Sequence, residues 1–194
     1  MIIHHKIQGW LAGGEATRLQ RYAKEQQGRS KSDFLEIGSW KGKSGITIAS
    51  ILKNGQRLWM IDHFQGAPEW PHKPKSPTTK YFRNGRLWAY PELLENIIRF
   101  DLQNKVIILP LNSAEAAKIV NEQFCFIYID GDHSYAGVSA DFQLWFPHLE
   151  QKGVIIFHDF KHPPINKFCN ELAERKDLKE RERGTLAIFE RLEK

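Results

Sequence analysis

The chain has 194 residues, 41% of them hydrophobic, which is ample for one buried core and sets the expectation of one domain spanning residues 1–194. Its 28 Lys and Arg against 23 Asp and Glu leave a formal charge of +5, an excess that favours anionic partners without the heavy basic bias of a dedicated nucleic-acid binder. The longest apolar run, residues 124–129, is far short of the roughly 20 needed to cross a bilayer, and the amino terminus lacks a signal-peptide apolar core, so no membrane partner is expected and the expected compartment is cytoplasmic.

Residues 1–30 read as an N-terminal helical segment: Ala16, Leu19, Tyr22 and Ala23 fall at helical spacing and predict an amphipathic helix over 15–25, packed outside a sheet. Short apolar runs at 34–37, 58–61, 106–109, 124–129 and 154–157 each end at a polar or glycine-bearing turn and predict buried parallel strands. Between them 44–52, 91–100, 113–120 and 136–149 have helical spacing, so strands and helices alternate through right-handed crossovers. The fold class is α/β, a doubly wound, mostly parallel sheet with helices on both faces. A last strand is expected at 185–189, the alternating charges of 171–183 predict a solvent-facing helix, and Pro163-Pro164 argues against a helix directly after Asp159. The two cysteines, Cys125 and Cys169, stand in unlike contexts and form neither a C-x-x-C pair nor a zinc cluster, which fits a reducing compartment.

Residues 63–90 break this rhythm. The stretch carries Pro68, Pro71, Pro74 and Pro77, and interleaves Lys73, Lys75, Lys80, Arg83 and Arg86 with Trp70, Tyr81, Phe82 and Trp88. A segment of this length without period is expected to be an inserted lid or substrate loop. Its aromatics and cations also suit stacking on bases or sugars and pairing with phosphates, which keeps a nucleic-acid partner open.

The chemistry concentrates first at Gly38-Ser39-Trp40-Lys41-Gly42, a glycine turn between the strand at 34–37 and the helix beginning at Ser44. Strand, glycine turn and helix bring backbone amides close to a ligand carboxylate or phosphate. A phosphate loop needs four residues between its glycines and here there are three; a dinucleotide loop needs a glycine where Trp40 stands. S-adenosylmethionine needs no pyrophosphate cradle, so Glu36, Gly38 and Gly42 suffice for it, with Asp62 after the next strand placed to accept hydrogen bonds from both ribose hydroxyls.

Glu36-Ile37-Gly38-Ser39-Trp40-Lys41-Gly42-Lys43-Ser44, Ile61-Asp62 and Ile127-Tyr128-Ile129-Asp130-Gly131-Asp132-His133-Ser134-Tyr135 together resemble the class I S-adenosylmethionine-dependent methyltransferases, with a Rossmann-like fold, and more narrowly the bacterial macrocin-type sugar O-methyltransferases. The resemblance runs over residues 32–160. It implies that Glu36, Gly38, Ser39 and Gly42 hold the methionine part of the cofactor, Asp62 its ribose, and Asn112 and Ser113 its adenine, with Asp130 bordering the same ligand. It implies O-methylation of a small-molecule or sugar hydroxyl.

The second concentration is Asp130, Asp132 and His133 after the strand at 124–129, with His158 and Asp159 after the strand at 154–157. Both turns lie at the carboxyl edge of a parallel sheet, where ligands bind. Asp132 and His133 are the candidate catalytic residues, as general base for the acceptor hydroxyl. Asp130, His158 and Asp159 form a candidate set for a divalent cation such as Mg, although metal-dependent relatives carry an Asp-Asp or Asp-Asn pair where this chain has His158-Asp159. Two other classes stay open: a non-catalytic S-adenosylmethionine-binding or scaffold module, and an RNA methyltransferase; a phosphate-loop nucleotide-binding protein stands behind both. Assembly as a homo-oligomer is also left open by the sequence.

Overall fold

The computed structural model describes residues 4–53, 55–66, 81–84 and 86–193. Most of the expected lid, with Trp70, Lys73, Lys75 and Lys80, lies outside the described residues. In chain order the elements are helix α1 (Gly13–Arg29), strand β1 (Asp33–Ile37), α2 (Lys43–Ala49), β2 (Leu58–Ile61), a short pair β3 (Phe82–Arg83) and β4 (Arg86–Leu87), α3 (Ala89–Arg99) and β5 (Val106–Leu109). There follow α4 (Ser113–Ala116), β6 (Phe124–Ile129), α5 (Tyr135–Trp145), β7 (Leu149–Phe157), α6 (Pro163–Ala173), β8 (Leu178–Arg183) and β9 (Ala187–Arg191).

Seven strands form one sheet in the order β5-β2-β1-β6-β7-β9-β8. The strands from β5 to β7 run parallel, while β9 pairs antiparallel with β7 and with β8. Successive side chains of a strand point to opposite faces, and both faces here are covered. Phe34, Phe126, Tyr128 and Ile156 pack with Leu19 and Tyr22 of α1, Ile46 of α2 and Leu93 of α3. Leu35, Ile127, Ile129 and Phe157 pack with Phe142 and Trp145 of α5 and Phe168 of α6. This two-faced burial explains why the strands read as continuous apolar runs. No helix among the described residues is long and apolar enough to cross a membrane, and the free Cys125 and Cys169 are both buried.

The structure departs from the sequence expectations at the carboxyl end. A helix does begin at Pro163, because proline at the first helical positions forfeits an amide that has no intrahelical partner anyway and brings a helical φ. That helix ends at Ala173, so of the solvent-facing helix expected over 171–183 only the start is helical, and Leu178–Arg183 form the edge strand β8. Its alternating charges pair across the sheet surface, Arg181 with Glu25 and Glu190, and Glu182 with Arg18 and Arg21. Charged side chains on an edge strand also discourage pairing with another chain. The helix expected over 113–120 is the single turn α4, and the last strand starts two residues later than expected.

Candidate active site

The sheet order reverses at β1: the chain crosses from β1 to β2 on one side, while β6 lies on the other. The loops leaving β1 and β6 therefore part at the carboxyl edge and open a crevice there. A cleft of ≈ 580 Å³ occupies this place, lined by the ends of β1, β2, β5, β6 and β7.

Its floor is the glycine loop. Gly38 and Gly42 take left-handed backbone, φ +86 and +85, which L side chains rarely adopt. At Gly38 a Cβ would also run into the carbonyl of Asp130, so the loops after β1 and β6 touch through backbone alone. Asp130 N donates to Ile37 O at 2.8 Å and Gly38 N to Ile61 O at 2.9 Å, which ties the loop to both neighbouring strands. Glu36 lies beneath the loop, fully buried and outside the cleft lining, where Oε1 accepts from the Ser44 hydroxyl. Burial lifts its carboxyl to about 8 against the hydrogen bonds from Ser44 and Ser39. Glu36 Oε2 is buried with only the Ser39 hydroxyl facing it, and Ser39 Oγ, which lines the cleft, accepts from no donor. Of the two, only Ser39 reaches the cleft, and its oxygen keeps lone pairs for a ligand donor, which fits the loop to a ligand with an ammonium or amide group.

The near match to a phosphate loop does not survive in the geometry. Lys43 Nζ donates to Gly9 O at 2.7 Å, and the Ser44 hydroxyl is given to Glu36. Lys41 is buried between Gln8 Oε1 at 2.7 Å and Glu92 Oε2 at 2.6 Å, below the rings of Trp40 and Tyr81. Neither lysine points a free ammonium into the cleft.

Asp62 lines the cleft opposite the loop. Its Oδ2 accepts from Trp40 N at 2.8 Å and its Oδ1 from Phe64 N at 2.6 Å. Burial raises its carboxyl, and these two amides work against that rise. Each carboxylate oxygen keeps a lone pair for a ligand hydroxyl. Asn112, Ser113 and Asp141 line the far end; Asn112 Oδ1 caps α4 at Glu115 N, 2.9 Å, and Ser113 Oγ accepts from Trp145 Nε1 at 2.8 Å. Burial lifts Asp141 to about 6.

At the near end Asp130, His133 and Asp159 converge, with one donor atom from each within 4.8 Å of the others. His133 Nε2 lies 3.6 Å from Asp130 Oδ1 and 3.5 Å from Asp159 Oδ2. Asp159 holds a left-handed backbone at φ 49, strain of about 1–3 kcal/mol that is common at functional sites. His158, expected among the metal ligands, instead backs the cluster: Nδ1 meets Asp130 Oδ1 at 3.0 Å and Asp159 Oδ2 at 3.4 Å, and Nε2 meets Glu15 Oε2 at 3.5 Å. Burial by itself would push its ring pKa down, but the three carboxylates lift it to about 12. The same hydrogen bond keeps Asp159 below the usual carboxylate range. Asp132 lines the cleft, but its carboxylate folds back to accept Ser134 N at 2.8 Å.

The structure thus brings Gly38, Ser39, Asp62, Asn112, Ser113, Asp130, Asp132, His133, His158 and Asp159 to one cleft, with Glu36 and Gly42 shaping its floor from outside the lining. Three lining or supporting residues were not read from the sequence. Trp10, 60% exposed, stands at the mouth with its ring 5.9 Å from both Trp40 and Tyr81. Glu15 reaches the cluster from α1, held down to about 2 by His158 and the Ala12 amide although burial opposes its charge. Asp141 had a signal: it falls in register with Val138, Phe142 and Trp145, an acid on the buried face of a helix. Of the interleaved basic and aromatic residues expected in the lid, Tyr81 packs edge-on against Trp40, and Arg83 lies over Trp88 at 4.9 Å while facing Glu92 at 3.8 Å.

Solved structures set this cleft in a known architecture. The chain is similar to the O-methyltransferase NovP, with a TM-score of 0.73 at 19% identity over 92% of this chain and 79% of that one. It is similar to an O-methyltransferase from Bacillus cereus in complex with SAH, 0.69 at 18% over 95% and 83%. It also matches the O-methyltransferase TomG from Streptomyces achromogenes, in complex with SAM, 0.70 at 13% over 95% and 82%. The fold is that of the class I methyltransferases. A model of the methyltransferase domain matches residues 35–160, from β1 to just past β7, and the chain belongs to that family.

Proposed function

We propose that the chain transfers a methyl group from S-adenosylmethionine to a hydroxyl of a small molecule or sugar. The observation that carries this reading is the division of one cleft into two ends: a glycine floor with the Ser39 hydroxyl and Asp62 beside it, and a cluster of Asp130, His133 and Asp159 at the mouth. The O-methyltransferases crystallised with SAM and SAH support the same cofactor and reaction.

When bound, S-adenosylmethionine supplies an electrophilic methyl on a positively charged sulfur. Ser39 and the amides of the glycine loop hold its amino-acid end, Asp62 accepts from the ribose hydroxyls, and Asn112 and Ser113 border the adenine. Glu36 acts from below the loop by fixing Ser44. Trp10 and Trp40, which pair with each other at the cleft, would flank the acceptor and help to exclude water from the reacting atoms. Asp130, Asp159 and His133 would bind the acceptor hydroxyl, and His133 would take its proton. Asp132 holds the turn that carries His133. Donors from Asp130, His133 and Asp159 also fit a divalent cation such as Mg, which when bound supplies Lewis acidity at the acceptor oxygen. The buried thiols of Cys125 and Cys169 are consistent with a reducing, cytoplasmic setting.

The test is methyl transfer from labelled S-adenosylmethionine to a panel of phenols and sugars, with and without EDTA, on the wild type and His133→Ala. Methyl ether product is expected, reduced about a hundredfold to ten-thousandfold in the variant. Loss of product on chelation assigns the cation; retained product leaves His133 as the base alone. Tight cofactor binding with no product from any acceptor would favour a non-catalytic binding module.

A further inference from the structure

Gly42-Lys43-Ser44 carries the lysine of the near match to a phosphate loop, and the methyl-transfer reading gives that lysine no part. Its ammonium donates to Gly9 O at 2.7 Å, and two residues earlier in the same loop Lys41 Nζ donates to Gln8 Oε1 at 2.7 Å. Consecutive residues of the N-terminal segment are therefore held by alternate residues of the glycine loop. Gly9 takes φ +151, and a Cβ there would come within 3.3 Å of Lys43 Cβ and Cδ, so the lysine stem lies along the backbone that its ammonium holds. On either side of this contact Ile7 and Leu11 are buried in the core with Leu19, Ile46 and Leu93. Trp10 stands between these two anchors and is nevertheless 60% exposed, lining the cleft with Gly9 and Leu11. A tryptophan held on both sides with most of its ring bare beside a cleft is a surface for the flat face of a ligand.

We propose that Lys43 is a positioning residue: its ammonium clasps a strap of residues 7–11 to the glycine loop, so that cofactor binding on the loop also sets Trp10 at the mouth of the cleft, where the acceptor then lies. The inference rests on the cofactor and acceptor readings above. The loop that grips the strap borders the same cleft through Gly38, Ser39, Trp40, Lys43 and Ser44. A ligand that stills the loop therefore stills the strap, and a second ligand that needs the strap ordered has less entropy to lose. The clasp is a charge-assisted hydrogen bond, the stronger kind. Methionine keeps an apolar stem against Gly9 but has no donor, whereas arginine keeps both charge and donor.

Amide hydrogen exchange of residues 8–12 in the full chain, with and without S-adenosylhomocysteine, tests this on the wild type, Lys43→Met and Lys43→Arg, alongside the dissociation constant of the same ligand. In the wild type the ligand is expected to slow exchange of the strap about tenfold. In Lys43→Met the strap should exchange about tenfold faster without ligand, and the ligand should no longer slow it, while ligand affinity falls no more than about threefold. Lys43→Arg should return both the slow exchange and the response, which a loss of stem packing alone would not explain. Ligand binding by Lys43→Met shows that the variant is folded. Exchange in Lys43→Met equal to that of the wild type, or a wild-type strap indifferent to bound ligand, would overturn the proposal while leaving the cofactor assignment intact. Failure of the wild type to bind S-adenosylhomocysteine would overturn the cofactor reading and the coupling with it, whereas the clasp itself is read from the exchange without ligand.

Discussion

Gly38 is where the site depends most sharply on one residue. Its left-handed φ of +86 and the Asp130 carbonyl behind it leave no space for a methyl group. Gly38→Ala is therefore expected to destabilise the protein by about 1–3 kcal/mol and to lower cofactor affinity at least about tenfold, read by urea unfolding and by ligand titration. Unchanged values for both would mean that the loops after β1 and β6 do not meet as described. Glu36 gives a pH signature at the same scale. Its carboxyl, ordinarily 4.5, is lifted to about 8, so the folded chain keeps a proton that the unfolded chain releases between those values. Its contribution to stability is complete below about 4.5 and declines as the pH rises toward 8. In Glu36→Gln the neutral amide still accepts from Ser44, so the variant should gain in melting temperature relative to wild type from pH 5 to pH 9; parallel profiles would contradict the buried, proton-holding carboxyl. Gly38, Asp62 and the Asp130 to His133 run were legible in the sequence because loops after parallel strands carry their chemistry locally. Trp10, Glu15 and Asp141 enter through packing between segments far apart in the chain, and only Asp141 betrayed itself, as an acid at a core position of its helix.

The elements that position the site differ in how they are held. Strands β1 and β6 and the second half of β7 are buried on both faces, and their apolar runs placed them in the sequence, whereas β7 begins at Leu149, five residues before its apolar run, because Glu150, Gln151 and Lys152 stay at the surface. The helix α1 is tied to the site by one buried side chain: Glu15 accepts from Ala12 N at 2.8 Å at its own amino end and meets His158 at the end of β7. Glu15→Ala should lower stability by about 1.5–3 kcal/mol, the range for hydrogen bonds to charged groups, in chemical unfolding at neutral pH. A loss under about 0.5 kcal/mol, typical of a surface change, would show that α1 contributes nothing through this contact. Elements misjudged from the sequence failed for identifiable reasons. Alternating charges in β8 suit an edge strand paired on one side as well as they suit a helix, and local pattern does not choose between them. Pro163 and Pro164 were weighed as breakers, whereas at the first helical positions they start α6.

Across the whole molecule, the alternation of apolar strands with amphipathic helices made the α/β class legible, because each crossover must return the chain to the same edge of the sheet. The cleft's position followed from that topology before any side chain was placed, since the reversal of strand order at β1 opens the crevice. What the sequence left open was the pairing of β8 and β9 beyond β7 and the contribution of the N-terminal segment, which brings Trp10 against Trp40 of the glycine loop and Glu15 against His158. The central claim is that this crevice binds S-adenosylmethionine and not a nucleoside triphosphate. Calorimetric titration of the wild type with S-adenosylmethionine and with ATP plus magnesium, repeated on Asp62→Asn, tests it most directly. Saturable binding of S-adenosylmethionine, weakened about tenfold or more in the variant, and no heat from ATP are expected; binding of ATP without S-adenosylmethionine would contradict the claim.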